Sequence, residues 1–128
     1  MKLILIDTTF LVDMINEKIS LKDFEYSEVK VLFPFFYVVL NNLPMIKRET
    51  QIDLMGKQLK ESYKLFTPEM EETQKTLHFI KLKPEMNWRL KWVLPLKIKY
   101  KDLEIFTTNI ESDSMYKNEN IKTIPFFK

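Results

Sequence analysis

The chain has no cysteine, one glycine and one histidine among its 128 residues. Without cysteine there is no disulfide framework, no thiolate nucleophile and no cysteine-ligated zinc site. His78 alone cannot build a multi-histidine centre, and no Ser–His–Asp set can be assembled around it. The single glycine, Gly56, excludes a glycine-rich nucleotide loop, because backbone phosphate cradles and tight left-handed turns draw on that residue. No apolar run approaches the roughly 18 residues of a spanning helix, and the opening residues lack the basic leader and small-residue cleavage site of a signal peptide. The expectation is a cytoplasmic protein with no membrane contact. Any bound metal would be hard and oxygen-ligated.

What the chain does have is apolar bulk. Hydrophobic residues make up 45% of it, enough for one core, and its length suits a single domain over residues 1–128. The net charge of +2 argues neither for nor against a nucleic-acid partner. Its distribution is more informative: from Lys81 to Lys101 there are seven basic residues and one acidic, Glu85, while Glu69, Glu71 and Glu72 cluster just before.

Residues 2–6 form a short apolar run that fits a buried parallel strand, and Thr8 or Thr9 can open a helix through Ile15. A polar connection over residues 16–30 follows. The apolar stretch VLFPFFYVVLNNL reads as a helix from near Pro34 to before Pro44, and residues 45–66 as the longest helix, with Ile46, Ile52, Met55, Leu59 and Tyr63 near one face. Thr67, Pro68 and Glu71 mark another helix start. A further helix from near Pro84 carries Trp88 and Trp92 until Pro95 ends or kinks it. Residues 103–107 and 121–126 read as strands. Strands near both ends with helices between predict a three-layer α/β/α sandwich with a mainly parallel sheet. In such sheets reactive groups gather at the carboxyl ends of strands, where Asp7 and the Thr107–Thr108–Asn109 turn fall.

The opening ILIDTTFLVD, the late TTNIESDSM, the closing IKTIPF and the chain length together resemble the PIN domain, the metal-dependent nuclease fold of many toxin–antitoxin ribonucleases. Members begin with an apolar strand, an Asp, a Thr or Ser, and a helix carrying a second Asp, which Asp13 matches. The resemblance implies a carboxylate cluster holding Mg²⁺ or Mn²⁺ for phosphodiester hydrolysis. Here only Asp7 matches firmly. Asn41 stands near the second acidic position, Asn87 or Lys91 near the third and Asn109 near the fourth, with Glu111 and Asp113 displaced by one or two residues. Amides add no charge, and a lysine there repels a cation.

The resulting expectation is a PIN-like domain that has lost its catalytic carboxylates and serves as a non-catalytic binding or assembly subunit in a nucleic-acid-associated complex. Arg89, Lys91, Lys97, Lys99 and Lys101 would contact phosphates, and Trp88, Trp92 and Tyr100 could stack on bases or simply pack. The apolar cluster PFFYVVL, with Met45, Met55 and IPFF, fits either a filled core or an interface with a protein partner or second subunit. Two other readings compete: an active Mg²⁺- or Mn²⁺-dependent endoribonuclease of toxin type, with Asp7, Glu111 and Asp113 around one ion, and a structural subunit that binds protein alone. For Asp7 itself the structural alternative is a helix-capping or turn residue.

Overall fold

The computed structural model describes residues 2–19 and 29–126. Five strands form one parallel sheet: β1 (Ile4–Ile6), β2 (Lys30–Leu32), β3 (Lys64–Phe66), β4 (Glu104–Thr107) and β5 (Lys122–Pro125), in the order β3-β2-β1-β4-β5. The helices are α1 (Thr8–Ile15), α2 (Phe33–Asn41), α3 (Arg48–Glu61), α4 (Met70–Leu82), α5 (Trp88–Lys99) and α6 (Ile110–Lys117), with a short 3₁₀ turn at Met45–Lys47. The chain steps outward from β1 to β3, then crosses back to β4 and β5. Right-handed crossovers therefore put α1, α2 and α3 on one face and α4, α5 and α6 on the other. The observed α1–α2, α1–α3 and α4–α5 contacts follow that division. This is the expected three-layer sandwich.

The core lies between these layers. Leu5, Ile6, Val31, Leu32, Ile105 and Phe106 of the inner strands are fully buried. Phe10 of α1 packs its ring 5.3 Å from that of Phe106 and 6.1 Å from that of Phe126, tying α1 to the β4–β5 side. Glu104, at the start of β4, is buried beneath Lys2 and Lys122, whose ammonium groups lie 2.6 and 3.0 Å from it. Burial alone would raise its carboxyl; the two lysines hold it below the usual range.

Two strands were not anticipated. β2 merges with the apolar run of α2, and β3 continues the helical spacing of α3 through Tyr63, so three-residue strands are hidden inside longer apolar patterns. The segment read as one helix over residues 45–66 is thus a turn, α3 and β3. Ile46 and Ile52 are exposed, while Met55 and Tyr63 are buried. Most of the predicted polar connection over residues 16–30 lies outside the described residues. Glycine is not needed for the left-handed turns: Glu17 and Asn120 both take φ 59°.

Pro95 neither ends nor interrupts α5, which runs on to Lys99. Lacking an N–H, a proline leaves the carbonyl four residues earlier without its helical donor. That carbonyl belongs to Lys91, and it accepts a 2.7 Å hydrogen bond from the buried hydroxyl of Thr76 in α4. The defect in one helix thus becomes a tie to its neighbour.

Candidate functional site

The switch in strand order falls between β1 and β4, and in an open parallel sheet the crevice beyond that point is where ligands bind. Asp7 ends β1 there. Its N–H donates to the Phe106 carbonyl at 3.1 Å, extending the ladder, and its carbonyl accepts from Leu11 at 3.0 Å, opening α1. The carboxylate makes no capping bond to that helix, so its placement is not explained by capping.

Both oxygens are engaged elsewhere, in complete burial. Oδ2 accepts from Nη1 of Arg89 at 2.7 Å and, more weakly, from the Thr9 hydroxyl at 3.3 Å; Oδ1 accepts from the Tyr116 hydroxyl at 2.7 Å. The Arg89 guanidinium is fixed on its other sides. Nη1 also donates to Ser112 Oγ at 3.0 Å, Nε to Asn87 Oδ1 at 3.4 Å, and Nη2 lies 3.9 Å from the Met115 sulfur. The Tyr116 ring is 6.0 Å from the guanidinium carbon. Burial, followed by the Asp7 charge and the hydrogen bond to it, pushes the Tyr116 hydroxyl well above its ordinary pKa, so it is a neutral donor.

Local sequence places each of these groups. Asn87 caps α5 through the Arg89 N–H at 2.9 Å, which brings Arg89 into the first turn over the sheet edge. Trp88 goes to the other side, edge-on to Phe35 at 5.2 Å. Asn109 caps α6 through the Ser112 N–H at 2.8 Å, and Ser112 and Tyr116, four apart, share the face turned to Asp7.

Of the anticipated site residues, Asp7, Asn87, Arg89 and Asn109 come together, the two asparagines as helix caps rather than as groups on Asp7. Asn41 is exposed at the end of α2, and Glu111 is exposed on α6. Asp113 is turned to β5, where it accepts from the Thr123 hydroxyl at 2.5 Å and pairs with Lys117 at 3.0 Å. Burial works against its charge, but these partners hold its carboxyl below the ordinary range. Tyr116, Ser112 and Thr9 were not anticipated. The Ser112–Tyr116 spacing behind the Asn109 cap of α6 was the signal available for the first two.

The residues about Asp7 do not fit a divalent cation. One oxygen carries a guanidinium, the other a phenol, while Glu111 is exposed on α6 and Asp113 is already satisfied by Thr123 and Lys117. Within the basic segment, Lys91 is buried with its ammonium 3.4 Å from the Pro84 carbonyl, and Lys97 donates to the Lys101 carbonyl. Lys99 pairs with Glu69 and Glu72, both at 3.1 Å, which raises its pKa. Lys81, Lys83 and Lys101 are exposed.

A groove of about 250 Å³ lies between α1, α2 and α3, lined by Val12, Ile15, Val38, Leu43, Gln51 and Trp88. A second hollow, of about 450 Å³, shares Ile15, Asn16 and Gln51 with it and reaches Ile46. Among the described residues no helix is long and apolar enough to cross a membrane.

Fold and site together define a parallel α/β domain whose switch-point aspartate is neutralised by an arginine of the same chain. No protein-family profile matches the sequence, and no characterised protein matches it at a significant level.

Proposed function

We propose that this chain is a PIN-like domain without nuclease activity that works as a binding or assembly subunit. The observation that carries the reading is the Arg89 guanidinium on Asp7. A cation-dependent phosphodiesterase needs an acidic cluster free to take a hard ion and a nucleophilic water. In this chain the one matching carboxylate is already neutralised by a fixed internal cation. Displacing that cation would leave a guanidinium buried without its counter-charge, a cost of about 3–5 kcal/mol before any ion is bound.

Binding then falls to the surfaces left open. The apolar groove between α1, α2 and α3, lined by the exposed Val12 and continued by the hollow that reaches the exposed Ile46, suits a protein partner with an apolar side chain to insert. Contact with nucleic acid, which the resemblance suggests, is left to Lys81, Lys83 and Lys101. A role confined to protein partners is favoured over it by the internal engagement of Arg89, Lys91 and Lys99.

Two measurements on the purified chain test this. RNA incubated with Mn²⁺ should stay intact, and Asp7→Asn should change nothing; cleavage that depends on Asp7 overturns the proposal. Titration of single-stranded RNA at low salt then separates the two binding modes. Affinity that falls with salt and with replacement of Lys81, Lys83 and Lys101 by alanine supports nucleic-acid contact, and a flat titration supports the protein-only form.

A further inference from the structure

Helix α4 packs its Glu72–Thr76 edge on α5 and leaves another edge bare. Along that edge run Met70, 77% exposed, Leu77, 58%, and Ile80, 48%, with the half-buried Thr73 between them. The intervals 70, 73, 77 and 80 alternate three and four, the spacing of a helix-to-helix seam. The Thr73 hydroxyl is satisfied by the Glu69 carbonyl at 2.9 Å, so it brings no unpaired donor to such a seam.

We propose that this edge is the contact with a second copy of the chain, two α4 helices lying antiparallel about a twofold axis near Gln74 and Lys75. The argument for a second copy is that the stripe is complementary to its own reversal. Turned end for end about that axis, Met70 meets Ile80 of the second copy and Thr73 meets Leu77, so each layer pairs a seam residue with a seam residue. Charge selects the antiparallel arrangement. The helix opens with Glu69 and Glu71 and closes with Lys81 and Lys83. Reversal sets acids against lysines at both ends and opposes the helix dipoles; a parallel pair would set like charges together. Glu69 remains available although Lys99 contacts it, since its side chain is 72% exposed. A two-fold contact of this kind is isologous and closes at two copies. This inference does not depend on the reading of the Asp7 site, and RNA cleavage would leave it standing.

The absence of cysteine gives a clean test on the full chain. Gln74→Cys should be joined to its symmetry mate by a short bis-maleimide, whereas in Met70→Cys the two thiols lie ten residues apart along the seam, about 15 Å, and should not be joined. Sedimentation over a concentration series should show a monomer–dimer equilibrium. Leu77→Lys should weaken it by at least about tenfold with the circular dichroism melt unchanged, since the residue is exposed. A monomer at every concentration overturns the proposal, as does a dimer indifferent to Leu77→Lys or one that cross-links through Met70→Cys in preference to Gln74→Cys.

Discussion

Nη1 of Arg89 and Oδ2 of Asp7 lie 2.7 Å apart across 82 residues of sequence, joining the start of α5 to the end of β1 with the carboxylate wholly buried and the arginine side chain 15% exposed. The contact sits where the parallel sheet reverses its order of construction, the position at which this architecture ordinarily leaves a crevice open. Here the crevice is closed from above by the first two residues of α5. Trp88 packs on Phe35, and Arg89 reaches Asp7 and Ser112. The buried carboxylate thus has both oxygens satisfied, Oδ2 by the guanidinium and Thr9 and Oδ1 by Tyr116.

That pairing makes a sign prediction. Asp7→Asn should destabilise the chain by about 3 kcal/mol, because it leaves the guanidinium with no counter-charge. Arg89→Met should cost a similar amount for the reciprocal reason. The double variant Asp7→Asn/Arg89→Met should be clearly more stable than the sum of the two losses predicts. Urea denaturation of the four proteins measures it. Were Asp7 instead a member of a repelling acidic cluster, Asp7→Asn alone would raise stability.

Tyr116 gives a pH signature. Its phenol is neutral in the fold well past its ordinary pKa of 10.0, while in the unfolded chain it ionises near that value. Above pH 10 the unfolded state therefore holds fewer protons than the native one, and stability declines as pH rises from there toward the native pKa. Tyr63, raised by burial alone, adds to the decline. Tyr116→Phe should remove part of the slope while costing about 1–2 kcal/mol at neutral pH through the lost bond to Asp7. Denaturant melts from neutral to alkaline pH decide the point: an unchanged slope in Tyr116→Phe would mean the phenol ionises normally.

Much of the layout was legible from the sequence, and particular residues show where legibility stopped. β1, α1, β4 and the Asp7 position were announced by short apolar runs that end in a polar turn. β2 and β3 were not, because Lys30–Leu32 and Lys64–Phe66 are too short to show alternation and are flanked by apolar residues at helical intervals. The position of Asp7 could be read, but its partner could not. Arg89 counted as one cation in a basic run, and only the cap at Asn87 and the crossing of α5 over the sheet edge turn it inward. The same holds for Lys91 and Lys99, whose partners Pro84, Glu69 and Glu72 depend on how α4 packs on α5. Charge is readable in a sequence; whether it faces water is a property of packing.

Pro95 supplies the last case and its own test. The Lys91 carbonyl, deprived of its helical donor, depends on Thr76, and Thr76→Val should leave it buried and unpaired at a cost of about 1–3 kcal/mol. Pro95→Ala restores a backbone N–H four residues on from that carbonyl. In the Pro95→Ala background the same Thr76→Val change should therefore cost distinctly less, because the carbonyl then has a donor within its own helix. Thermal or urea melts of the wild type, both single variants and the double variant give the coupling. If Thr76→Val costs as much with alanine at position 95 as with proline, the hydroxyl is not compensating for the proline, and the tie between α4 and α5 must come from their side-chain packing instead.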